Sequence, residues 1–158
     1  MNKRKYVKIF LNIAFFIYIL AAMYFLLFAE SMGRTTVSDG YRYNLILFKE
    51  IKRFIVWSME SPIGFRSMLL NVFGNIVCFV PLGFLVPSVI NFKNKFLAVV
   101  IVAFSSVLMV EVIQLVTKIG SFDVDDILLN VSGAMLGYGI YVIAKKFWNI
   151  KNNNKNKS

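Results

Sequence analysis

Four apolar blocks, each about as long as a bilayer core is thick, constrain this chain more than any other feature. They run from about Val7 to Ala29, Met68 to Ile90, Phe96 to Thr117 and Ile127 to Trp148. Roughly 20 apolar residues at helical rise cover a hydrocarbon layer. In lipid the backbone amides must be paired within the segment, so an unbroken apolar run of this length reads as a helix. The expected fold class is all-α, a polytopic membrane bundle of about four transmembrane helices. Composition agrees, since 58% of the 158 residues are apolar and 16% charged, in blocks instead of the short periodic runs of a water-soluble core. The membrane domain is expected over residues 1–148, followed by a disordered, basic cytoplasmic tail over residues 149–158.

The formal charge of +10 invites a nucleic-acid reading, but the cations flank the apolar blocks. Lys3, Arg4, Lys5 and Lys8 precede the first, and Lys145, Lys146, Lys151, Lys155 and Lys157 follow the last. That distribution points to topology and to attraction by anionic lipids, with no nucleic acid as partner. Four spans with both termini cytoplasmic satisfy it, and put the Lys93–Lys95 turn on the same side. The loop from Lys118 to Asp126 then faces outward, as does the segment from Glu30 to Ser67, although that segment carries Arg34, Arg42, Lys49, Lys52, Arg53 and Arg66. The first block begins like a secretion signal, yet its apolar core is too long and Leu27 too bulky for cleavage after Ala29, so it is read as a retained span. Cys78 is the sole cysteine and histidine is absent. Cys78 is therefore read as packing, and imidazole-based chemistry is excluded.

Within the outer segment Phe48, Ile51, Phe54, Ile55 and Trp57 recur at helical spacing, with Lys49, Glu50, Lys52 and Arg53 opposite. The pattern predicts an outward amphipathic helix between spans 1 and 2, too short to cross, lying in the headgroup layer. In the second span Pro81 is expected to kink the helix.

The polar residues inside and beside the spans are the candidate site. Glu111 is costly in a span and must be compensated, and Gln114 lies one turn further out on the same face. They serve either as hydrogen-bonding glue between helices or as part of a site. Asp123, Asp126 and Asn130 share one face if the fourth helix begins near Ser121, and Gly133 and Gly137 continue that face as a smooth surface for another helix. Capping of the helix by Asp123 or Asp125 is the plainer reading of the acids. Asn71 and Asn75, a turn apart at the outer end of the second span, are placed to reach Glu111 or Asp126. Arg42 and Arg66 stand on the same side, to pair with a carboxylate or to hold a phosphate.

Taken in order, Arg42 with Asn44, Leu45 and Phe48, then Asn71 and Asn75 before Phe79, Pro81 and Gly83, then Glu111 and Gln114, then Asp123, Asp126, Asn130 and Gly133, the chain resembles the VanZ-like family of small bacterial membrane proteins. The likeness covers nearly the whole membrane region. One position departs, since Leu47 stands where the family usually has proline. The founding member of the family is associated with resistance to teicoplanin, a lipid-tailed glycopeptide. The resemblance implies a phenotype and a set of positions, with no catalytic mechanism to transfer.

Three functions follow as expectations. The first is a non-enzymatic membrane factor that lowers susceptibility to teicoplanin-type lipoglycopeptides through an outward polar site, with the drug, a lipid-linked cell-wall precursor or another protein as partner. The second is a metal-dependent enzyme acting on a lipid-linked phosphate, with Glu111, Asp123 and Asp126 holding a divalent cation such as magnesium or manganese and Arg42 clamping the phosphate. The third is a proton-coupled carrier in which Glu111 exchanges the proton. The polar cluster common to all three is Arg42, Asn44, Asn71, Asn75, Glu111, Gln114, Asp123, Asp126 and Asn130.

Overall fold

A computed structural model describes residues 3–32 and 40–155, with side chains described over 6–24 and 40–149. Arg34 and Asp39 of the outer segment and Lys157 of the tail lie outside the described residues, as do the side chains of Lys3, Arg4, Lys5, Glu30, Lys151 and Lys155. The elements in chain order are α1 (Lys3–Met32), β1 (Tyr43–Asn44), α2 (Lys49–Glu60), α3 (Pro62–Met68), a π-turn (Leu69–Phe73), α4 (Gly74–Val89), α5 (Lys95–Thr117), β2 (Phe122–Asp123) and α6 (Val124–Lys155). Among the described residues four helical stretches are long and apolar enough to cross a membrane: Tyr6–Tyr24, Pro62–Val89, Lys95–Thr117 and Val124–Asn149. Their outward residues are large and apolar, with Phe16 at 63% exposure and Val77 at 64%, an arrangement that water would penalise and lipid accepts. The chain is an all-α polytopic bundle.

Local chemistry sets the helix ends. Asn94 caps α5, its side chain accepting from the Leu97 amide at 3.1 Å, and Lys118 closes the same helix in a left-handed conformation (φ 56°). Ser61 is extended, accepts from the Gly64 amide at 3.0 Å and is followed by Pro62 in the first turn of α3, a start signal of the usual kind. At that elbow a Cβ on Gly64 would meet the Trp57 carbonyl oxygen at 2.1 Å, so α3 folds back closely on α2.

The bundle is organised by α4 and α6, which share its most extensive interface. A Cβ on Gly133 would lie 2.0 Å from the Ile76 carbonyl oxygen, one on Gly137 2.0 Å from that of Val80, and one on Gly83 1.9 Å from that of Ala134. From Ile76 and Gly133 to Val80 and Gly137 the contacts advance four residues along both helices, so α4 and α6 run in the same direction with backbones in contact. The Gly133 and Gly137 stripe does what its spacing predicts, and its partner is the second span. The apolar core then fills from Phe79, Leu82 and Val86 of α4, Ala98, Val99, Ala103 and Val107 of α5, and Ala134 of α6. Helix α1 leans on this core through Phe15, Tyr18 and Ile19, and the Tyr18 hydroxyl donates to the Cys78 carbonyl at 2.9 Å. Cys78 itself is a half-buried free thiol packed on the core.

Two expectations, the start of the second span and the end of the last helix, need correcting. The second span starts at Pro62, not Met68, because α3, the π-turn and α4 form one helical run; Arg66 therefore sits on a helix, not in a loop. That run contains a π-turn at Leu69–Phe73, and downstream of it α4 carries Pro81 and Pro87 inside the helix. Helix α6 continues past Trp148 to Lys155, since extending a formed helix into polar residues costs little compared with nucleating one. The amphipathic helix appears as α2, with no buried residue and with Ile55, Val56, Trp57 and Met59 exposed, as a helix in a headgroup layer would be.

Candidate functional site: a polar pocket at one end of the bundle

The C-terminal end of α5, the N-terminal ends of α4 and α6, and α2 all meet at the same end of the bundle. Glu111 and Gln114 are buried on α5, at 3% and 6% exposure. After Lys118 the chain reverses, with the Gly120 amide donating to the Gln114 carbonyl at 3.4 Å, and runs into β2. There Tyr43 and Asn44 pair in parallel with Phe122 and Asp123, and the Phe122 amide donates to the Arg42 carbonyl at 3.0 Å. Two residues on each strand are enough to pin the segment before α2 to this end of the bundle.

A chain of carboxylates and amides then links the elements. Glu111 Oε2 accepts from the Asp123 backbone amide at 2.7 Å. Asp123 Oδ1 accepts from the Asn44 side-chain amide at 3.0 Å and from the Asp125 backbone amide at 2.8 Å, the second being the N-terminal cap of α6. Asn44 also closes a local turn, its Oδ1 accepting from the Ile46 amide at 3.1 Å. Asp125, 1% exposed, accepts from three backbone amides at the start of α2: Phe48 at 2.5 Å, Glu50 at 2.9 Å and Ile51 at 3.2 Å. Phe48 stands in the left-handed region (φ 65°) and its side chain does not cap α2. The missing cap comes instead from Asp125 on another helix, which holds the bulky residue in an unfavourable conformation. Asp126 Oδ1 accepts from the Asn75 side-chain amide at 2.5 Å, joining α6 to α4. The Asn130 side-chain amide donates to the Asp126 carbonyl at 2.8 Å, while its buried Oδ1 finds no partner among the described residues. Burial pushes the Asp123 carboxyl above its ordinary pKa, against the lowering effect of the Asp125 amide and Asn44.

Above this network opens a cavity of about 170 Å³ lined by Arg42, Asn44, Asn71, Asp123 and Asp126 together with Asp125, Ser121, Lys49, Glu50 and Arg53. Five of the nine residues singled out from sequence thus line one pocket. Glu111 and Asn75 lie behind it and hold its walls, through the Asp123 amide and the Asp126 carboxylate respectively. Gln114 and Asn130 are buried nearby and do not line it. Arg66, the other arginine expected on this side, does not line it either. Asn71 does not reach a carboxylate; its amide donates to the Ser67 carbonyl at 2.7 Å, within the helix and beside the π-turn. Helix α6 starts at Val124, so Asp123 precedes the helical face that sequence spacing gave it. Sequence reasoning passed over Asp125, Lys49, Glu50 and Arg53 as site residues. The signal for Asp125 was present as a third aspartate in the Asp123–Asp126 run, but helical spacing sets it off the Asp126 and Asn130 face. Glu50 and Arg53 pair at 2.5 Å on the pocket wall.

Among the described residues no group of three or more Asp, Glu, His or Cys side chains is spaced to hold a metal ion. Glu111, Asp123 and Asp126, the candidate ligand set, each accept a hydrogen bond from an amide.

A family model described as VanZ/LLP1 matches residues 15–145, a range that contains every residue of the pocket. Protein VanZ of Enterococcus faecium is 33% identical over 117 residues, covering 70% of this chain, and the chain spans 66% of that protein's length. No solved structure matches. With four membrane-spanning helices and a family match over most of its length, the chain belongs to the VanZ/LLP1 family of multi-pass membrane proteins.

Proposed function

We propose that this chain is a non-enzymatic factor of the cell membrane that lowers susceptibility to teicoplanin-type lipoglycopeptides, acting through the polar pocket on the extracytoplasmic side, with both termini in the cytoplasm. The observation that carries the reading is how the pocket's acids are used. Asp123 and Asp125 accept from five amide groups between them, and Asp126 accepts from Asn75. Carboxylates so engaged build and hold a surface. For a metal-dependent enzyme the candidate ligands Glu111, Asp123 and Asp126 would have to converge, and no three such side chains are spaced for a metal among the described residues; a carrier would need Glu111 to exchange its proton while that carboxylate holds the Asp123 amide. The pocket presents Arg42, Lys49 and Arg53 for contact, beside the exposed aromatic and aliphatic side chains of α2, a combination suited to a ligand with a polar head and a lipid tail.

The test is expression in a sensitive Gram-positive host. The teicoplanin inhibitory concentration rises more than that of vancomycin, because only the former drug carries a lipid tail. Unchanged concentrations for both drugs, with the protein shown to be in the membrane, would overturn the reading.

A further inference from the structure

The opposite end of the bundle carries a second pocket, with a different character. It is a cavity of about 430 Å³ lined by Lys95 of α5 and by Tyr138, Tyr141, Lys145 and Lys146 of α6. Its floor is aromatic and braced from two other helices: Tyr138 stands edge-on to Phe96 at 5.5 Å and Tyr141 edge-on to Phe84 at 6.3 Å. Its rim is cationic. The Lys145 ammonium lies 5.8 Å over the Tyr141 ring, and the Lys95 ammonium donates to the Ile90 carbonyl at the end of α4. All eight acidic residues of the chain fall between Glu30 and Asp126, with none in 61–110 or 127–158, so the helix ends that form this pocket bring no carboxylate to neutralise it.

We propose that this pocket is a binding site for one anionic phospholipid, with the headgroup phosphate held among Lys95, Lys145 and Lys146 and the glycerol and upper acyl chain lying on the Tyr138 and Tyr141 rings. The depths agree. Tyr141 is one helical turn inside Lys145, which puts rings at the acyl boundary where lysine ends reach the phosphates, as in the aromatic and basic belts of membrane proteins. Basic pockets between spans on the cytoplasmic side are sites for such headgroups. The inference does not rest on the antibiotic reading and concerns the other end of the molecule.

The test uses the full-length protein in detergent, titrated with phosphatidylglycerol and read by native mass spectrometry. A lysine near a headgroup contributes about fivefold in affinity, so K145Q/K146Q weakens phosphatidylglycerol retention by about 30-fold with the melting temperature unchanged. K145R/K146R restores it. If the double variant does not fold, K145Q alone loses about fivefold. The K8Q/K93Q pair, which removes equal charge from exposed positions outside the pocket, keeps retention within about twofold of the parent. Retention unchanged in folded K145Q/K146Q, or equal losses in K8Q/K93Q, would overturn the proposal. Displacement of the lipid by millimolar inorganic phosphate would overturn it too, since it would show a site for a free anion.

Discussion

Asp125 shapes the candidate site from within α6, because its one buried carboxylate supplies the side-chain cap that α2 receives among the described residues. Replacing it by alanine leaves three amides without their acceptor, at a cost of about 2–3 kcal/mol concentrated on α2. Hydrogen exchange is expected to show this locally, with the Phe48, Glu50 and Ile51 amides in Asp125→Ala exchanging about 30- to 150-fold faster while α5 is unaffected. Uniform acceleration, or none, would argue against the capping role. Asp123 behaves differently, since burial raises its carboxyl pKa in the folded state. Its linkage favours the folded state below the ordinary value of 3.8, and that contribution is lost as pH rises through the raised folded value. Asp123→Asn keeps an oxygen for Asn44 and the Asp125 amide while removing the charge. Melting curves for this variant should accordingly be flatter across that acid window than those of the parent. A variant that melts with the parent's pH dependence would place the effect on another group.

At the scale of elements, the α4–α6 contact makes the sharpest claim. Gly137→Ala drives a Cβ against the Val80 carbonyl oxygen, which backbone cannot yield without the helices parting, and is expected to cost about 1–3 kcal/mol. Gly139→Ala has nothing within 4 Å and should be neutral or stabilising by up to about 1 kcal/mol. Thermal unfolding of the two variants in the same detergent separates them, and equal stability would contradict the packing. This contact and helix α2 are legible in the sequence because helical periodicity is a local property: the Gly133, Gly137 spacing and the alternation around Phe48–Trp57 each lie within a few turns. The partners of Asp125 stand 74 to 77 residues away, and no local pattern announces them. The paired strands are two residues long, too short for alternation to show. The π-turn at Leu69–Phe73 arises in an apolar run that reads as ordinary helix. The candidate site was therefore legible as a set of residue types and only partly as an arrangement. Asn75 with Asp126 and Asn44 with Asp123 meet across the fold, while Asn71 turns back on its own helix.

Across the whole molecule the two ends differ in kind. One gathers buried carboxylates under a short amphipathic helix, and the other gathers lysines over tyrosines with no acid in reach. The asymmetry suits an orientation with the lysine end in the cytoplasm and the carboxylate pocket outside. Single cysteines placed in a Cys78→Ala background report on this directly. Ser121→Cys, in the turn before β2, should be labelled from outside intact cells by a membrane-impermeant maleimide, and Lys93→Cys should be labelled only after lysis. The reverse pattern would place the pocket in the cytosol. The claim on which function rests is that the outward pocket, not mere presence of the protein, protects the cell, and Arg42 tests it because its side chain lines the cavity while its backbone makes the strand contact. The decisive measurement is the teicoplanin inhibitory concentration of cells carrying Arg42→Ala at the parent's membrane level. It should fall to that of cells without the protein, whereas protection equal to the parent's would contradict a role for the pocket.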